Sequence, residues 1–226
     1  MSLPSTVDHI GWIERDSEAF AVSLATTPLD ARVPGCPDWS LRDLAWHLGN
    51  VQRFWARIVR VGADVQPEFP DEQAPPDALD VAWMRDSTAA LLDALRTTDP
   101  GTSAWVWWRD DRTVGAIARH QVQEAAVHRW DAQSAAGRPA PIAPEVADDG
   151  VDEFVWLSRQ LREPTPIELV ATDSGRSFPV SDSRPAVTVS GSASDLVLLC
   201  YRRVPASAVT VDGDAAVLDA FLQPIG

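Results

Sequence analysis

The chain has no lysine: every basic residue among its 19 Lys plus Arg is arginine. Set against 33 Asp plus Glu, this leaves a formal net charge of -14. So acidic a surface repels phosphate backbones and anionic lipid, which argues against nucleic-acid and membrane partners. The missing lysine, together with abundant Ala, Asp and Val, has the look of a high-GC genome, an actinobacterial one for instance. Cysteine is nearly absent as well. Cys36 and Cys200 lie far apart and form no CxxC pair, so neither a disulfide framework nor a thiolate metal site is indicated. Each reads as a small buried or half-buried thiol. No apolar run approaches the ~20 residues that span a bilayer. The opening MSLPSTVDHIGWIERD has no basic n-region and no apolar h-region, so a cytoplasmic location is expected.

What is present is a globular composition, 45% hydrophobic over 226 residues, with clear helical patterning. A first helix is predicted over 5–26, with Val7, Ile10, Phe20 and Leu24 among its apolar positions. The stretch PLDARVPGCPD is dense in turn residues and reads as a loop. Ser40 then reads as an N-cap, with Asp43 three residues on completing a capping box. The helix it opens runs to about Val61 and carries Leu44, Leu48, Val51, Trp55 and Ile58 at helical spacing, with His47 on the same stripe. The Pro-rich, acidic QPEFPDEQAPPDA is a loop. A third helix is expected from about Leu79 to Arg96, and a fourth from about Val114 to Ala136, closed by Gly137. Four such helices predict an antiparallel bundle. Beyond a further helix, over about 148–161, short β-prone runs alternate with helical ones. The expected fold class is therefore α+β: a four-helix bundle over residues 1–160 and a smaller α+β domain over 161–226.

The chemistry concentrates in RHQVQEAAVHRWDA. Glu124 and His128 are spaced i,i+4, which places both on one helix face with Cβ atoms about 5–6 Å apart. A buried carboxylate is costly without a partner, and a cation is one of the few that removes the cost. His47, inward on its own helix, supplies a third donor. Three protein ligands with an open position suit a catalytic metal better than a structural one. Mixed nitrogen and oxygen donors suit zinc, with nickel, iron or manganese also open. Chance E-x-x-x-H pairs and hydrogen-bonded core histidines are common, so spacing alone leaves the structural alternative ahead. His120, one further turn back, reads as a support behind a ligand or as a surface residue rather than a fourth ligand. Trp105, Trp107 and Trp108 read as core before cleft. Arg109 and Arg112 read as solvated or weakly paired.

PGCPDWSLRDLAWHLGNV and EAAVHRWDA closely resemble the two bundle motifs of the mycothiol-dependent maleylpyruvate isomerase family, part of the DinB-like group of metal-binding four-helix bundles. The first motif is carried by Trp39, Ser40, Asp43, Leu44 and His47, the second by Glu124, His128, Arg129 and Asp131. TPIELVATDSGRSFPV, VSGSASDLVLLCYRRV and VTVDGDAAVLDAFL resemble that family's small domain, similar to sterol carrier proteins. The resemblance implies zinc on His47, Glu124 and His128, and a substrate-handling role for Arg203. Two departures stand out: Gln123 where members often have His, and Arg202 where they often have Gly. For Arg203, a solvated arginine after a helix is the competing reading.

The resemblance further implies mycothiol as thiol cosubstrate and a small-molecule electrophile as substrate. Zinc converts a thiol of pKa ≈ 8.5 into a thiolate at neutral pH. The thiolate attacks the electrophile; the enzyme is an S-transferase if the adduct is kept and a cis–trans isomerase if the thiol leaves after rotation. Maleylpyruvate itself is a minority expectation, because one fold hosts many substrates. Asp131 and Asp43 lie where groups orienting the imidazoles would lie, although surface or capping roles read as stronger. Two other classes stay open: a non-catalytic stress-response module binding a small hydrophobic ligand, and a hydrolase using zinc-bound water.

Overall fold

A computed structural model describes residues 8–62 and 79–223. The acidic Pro-rich loop, the start of the expected first helix and Val7 lie outside them. Four helices build the first half: α1 (His9–Thr26), α2 (Leu41–Val61), α3 (Val81–Thr97) and α4 (Val114–Ala135). Each begins on a side-chain cap, Asp8, Ser40, Asp80 and Thr113 in turn. Such caps satisfy backbone N–H groups that the first helical turn leaves without partners. At Ser40 the capping box is complete: its hydroxyl accepts from the Asp43 N–H while the Asp43 carboxylate accepts from the Ser40 N–H.

The helices pack as their apolar stripes dictate. Leu44, Leu48, Trp55 and Ile58 of α2 are buried against α3 and α4, with Phe20, Met84, Leu91 and Ile117 among the fully buried side chains. Helix α4 is the central strut, buried along most of its length. It lies against α1 on one side and α5 (Pro144–Leu161) on another. Helix α5 begins four residues earlier than the pattern predicts, because Pro144 sits in its first turn, where the missing N–H costs nothing.

The turn-rich stretch before α2 is more ordered than a loop. Strands β1 (Arg32–Val33) and β2 (Cys36–Ser40) pair antiparallel across Pro34-Gly35. Gly35 is required there by close approach: a Cβ would come within 2.6 Å of an Asp131 carboxylate oxygen.

The second half is α+β. Its sheet has the order β4-β3-β5-β6, from β3 (Ile167–Ala171), β4 (Ser177–Pro179), β5 (Val187–Gly191) and β6 (Thr210–Gly213). The pair β3/β5 is parallel and the outer pairs are antiparallel. Helices α6 (Ala193–Cys200) and α7 (Ala215–Phe221) complete it. Alternation in β3 buries Ile167, Leu169 and Ala171 on one face. One apolar core runs without a break from Ile117 and Val122 of α4 through Val151 of α5 to Leu196 of α6. The tight α5–α6 packing sets the turn after α6 beside the bundle, which is what carries Arg203 to the site. Among the described residues no helix is long and apolar enough to cross a membrane.

Candidate metal centre

His47, Glu124 and His128 converge. One donor atom from each lies within 4.8 Å of the others. His128 Nε2 is 3.4 Å and His47 Nε2 3.7 Å from the same oxygen, Glu124 Oε2. Two donors each about 2.0–2.1 Å from a tetrahedral zinc stand about 3.3 Å apart, so these spacings fit a shared cation. Helix α2 supplies His47 two turns below its capping box, and α4 supplies the other two from one face. The His47 and His128 rings meet edge to face at 5.0 Å, and Trp39 packs on His47 at 4.9 Å.

Glu124 Oε2 is buried and receives no hydrogen bond among the described residues. A buried carboxylate oxygen without a hydrogen bond is costly, and a cation between it and the two imidazoles would remove the cost. Burial pushes Glu124 up, but the His128 and His47 imidazoles outweigh it and hold the carboxyl well below its usual range. Burial likewise opposes protonation of His128, and the Asp131 and Glu124 carboxylates override it, raising His128 to about 9.

Asp131 does more than the sequence showed. It is fully buried and accepts from His128 Nδ1 at 2.9 Å, which leaves Nε2 to face Glu124. Metal-binding histidines are commonly oriented in this way, through their other ring nitrogen. The same carboxylate takes Nε of Arg203 at 3.1 Å and Nη2 at 2.9 Å. Arg203 is therefore not a solvated arginine after a helix: it is clamped to Asp131, and its Nη2 also reaches the half-buried Cys36 Sγ at 3.2 Å. The expectation that Asp131 is a surface residue fails, and the i,i+3 spacing from His128 was the signal that carried its role. Asp43 keeps the capping role. Cys200 is buried in the core, and burial pushes its thiol up to about 12.

Glu124 and Arg203 both line a cavity of about 640 Å³ between the bundle and the second half. Pro34, Gly35, Pro37, Phe154, Leu157 and Trp107 also line it, together with Arg162 and Arg202. Arg202 holds a left-handed backbone, φ 60, where a glycine would be unstrained. Of the three tryptophans, Trp108 is buried and Trp105 partly so, as core residues, whereas Trp107 is 44% exposed and faces the cavity. Gln160 Oε1 pins this segment by accepting the N–H groups of Arg109 and Asp110. His120 is no surface residue: it is buried, lines the cavity, and pairs through Nδ1 with Glu153 at 2.8 Å.

The geometry can be set beside known proteins. Residues 12–133 match the family model described as the mycothiol maleylpyruvate isomerase N-terminal domain. A crystal structure of the mycothiol-dependent maleylpyruvate isomerase shares the fold with a TM-score of 0.70 at 17% identity, covering 91% of this chain and 92% of that one. A histidine-to-alanine mutant of the mycothiol-dependent maleylpyruvate isomerase superposes with a TM-score of 0.72 at 14% identity and the same coverage. No curated protein matches the chain in sequence.

Proposed function

The chain belongs to the mycothiol maleylpyruvate isomerase family, and on that premise we propose that it is a metal-dependent enzyme. In this reading it uses a low-molecular-weight thiol, mycothiol, on a small electrophile, as isomerase or S-transferase. One observation carries the metal part: an unsatisfied buried carboxylate oxygen, Glu124 Oε2, faced by two imidazole nitrogens at 3.4 and 3.7 Å. His47, Glu124 and His128 would hold the ion, and zinc suits their mixed donor set. When bound, zinc would supply the acidity that keeps a thiol as thiolate at neutral pH.

The chain's own residues do the rest. Asp131 fixes the His128 ring so that only Nε2 faces the centre. The same carboxylate holds Arg203, a residue of the cavity lining that would meet an anionic group of the substrate. Phe154, Leu157 and Trp107 supply apolar lining to the cavity that Glu124 also lines. In this arrangement residues 1–160 carry the metal, and residues 161–226 contribute the arginine and close the cavity.

The test is thiol dependence. Protein supplied with zinc is incubated with maleylpyruvate, and separately with other unsaturated and alkylating electrophiles, with and without mycothiol. Conversion only in the presence of mycothiol supports the proposal. Conversion that is indifferent to thiol would mark a hydrolase, and no conversion of any electrophile would overturn it.

A further inference from the structure

The cavity wall holds a second histidine–carboxylate pair that the metal centre does not use. His120 stands one turn before Glu124 on α4, and both residues line the cavity. Its Nδ1 meets Glu153 Oε1 of α5 at 2.8 Å, and Glu153 is 2% exposed. The other carboxylate oxygen, Glu153 Oε2, is buried with no hydrogen bond among the described residues. Three indole rings surround the imidazole: Trp108 at 5.3 Å, Trp107 at 5.6 Å and Trp55 at 6.2 Å between centroids. An imidazole with Nδ1 on a buried carboxylate, boxed by aromatic rings and beside a reaction cavity, has the construction of an oriented general acid–base group. A purely structural tie between α4 and α5 would gain nothing from facing the cavity.

We propose that His120, oriented by Glu153, is the proton donor that lets this site keep a thiol on an unsaturated electrophile, giving it a thiol-addition activity alongside isomerisation. The proposal rests on the thiol-dependent reading above. The thiol passes its proton to Nε2 of the neutral His120 imidazole, and its sulfur bonds to the β-carbon of an α,β-unsaturated carbonyl compound. The carbon–carbon π pair moves toward the carbonyl oxygen as an enolate. Where rotation outruns protonation, that enolate expels the thiolate, which recovers the proton, and the outcome is isomerisation. With His120 beside it, the Nε2 proton passes to the α-carbon, a C–H bond forms, and the thioether is retained. The neutral imidazole then recovers a proton from the next thiol, so thiol and acceptor combine with nothing left over. Burial alone would favour the neutral ring, but the Glu153 charge and hydrogen bond, with Glu124 beyond, raise the His120 pKa above its usual value, as a donor requires.

Two electrophiles separate proton donation from packing. Cyclohexenone needs a proton on carbon after thiol attack, whereas monobromobimane loses bromide and needs none. Zinc-supplied wild type, His120→Gln and Glu153→Gln are assayed with mycothiol against both, and the zinc content of each protein is measured. Glutamine can keep a hydrogen bond across the pair, so both variants are chosen to fold. The expected result is a fall in the ratio of cyclohexenone to monobromobimane rates of about a hundredfold in His120→Gln, a smaller fall in Glu153→Gln, and unchanged zinc content. An equal loss on both electrophiles, or no loss, would overturn the proposal while leaving thiol dependence standing. If wild type accelerates neither reaction, the thiol-dependent reading fails and this one fails with it.

Discussion

Helix α4 carries two histidine–carboxylate clusters about 12 Å apart along its axis, and they are built in opposite senses. At His120 a single imidazole meets a single oxygen of Glu153 at 2.8 Å, and the other Glu153 oxygen is buried without a hydrogen bond among the described residues. At His128 the ring is tied from behind by Asp131, and its other nitrogen meets Glu124 at 3.4 Å, with His47 opposite and Oε2 left without a hydrogen bond. The first pair resembles proton-transfer machinery and the second an incomplete coordination shell. Whether a buried histidine handles protons or a metal is decided by how many donors converge on the same point.

The sharpest break between the two clusters comes from truncation. Removing one partner of a buried pair leaves an uncompensated charge, so His120→Ala should lower unfolding free energy by about 3–5 kcal/mol. Denaturant unfolding reads that loss, while zinc content should stay that of wild type. If zinc is lost too, the clusters are not independent.

Asp131 is the next largest effect. Asp131→Asn keeps the shape but weakens the hold on both His128 and Arg203. Zinc affinity, read by competition with a chromogenic chelator, should fall about 10–100-fold. An unchanged affinity would mean that the hydrogen bond to Nδ1 does not orient the ring.

Metal uptake at the His128 cluster should also depend on pH. In the metal-free protein His128 titrates at about 9, so at neutral pH zinc must displace its proton. Affinity should therefore rise about tenfold per pH unit from neutrality and level off above that value. A flat profile across this range would show that no proton leaves with metal binding.

The smallest effect is local. Ser40→Ala removes the cap that starts α2 two turns before His47, at a cost of about 1 kcal/mol in thermal unfolding. Zinc affinity should change little, because His47 is held by later turns of the helix.

How far the sequence could be read follows from what each feature depends on. The helix starts at Ser40 and Thr113 and the stop near Gly137 were legible or nearly so, because caps and helical periods are local. The apolar stripes turn His47, Glu124 and His128 inward, but spacing alone left a structural role ahead, and it was the resemblance of the two bundle motifs that joined the three into one site. The hairpin β1/β2 was hidden by Pro34, Gly35 and Pro37, which read as loop, yet the glycine is there to admit the Asp131 carboxylate. Asp131 itself looked like a surface aspartate, since nothing in EAAVHRWDA reveals that an arginine seventy-two residues later would meet it. For His120 the sequence left a support behind a ligand and a surface position both open for the same reason: its partner, Glu153, lies on α5, and no helical period connects the two.

The most direct test of the central claim is the metal content of purified wild type beside Glu124→Ala and His128→Ala, after zinc is supplied and the excess removed. About one zinc per chain is expected in wild type and little in either variant, as for a centre with three protein ligands. Wild type without zinc, or variants that retain it, would contradict the metal centre.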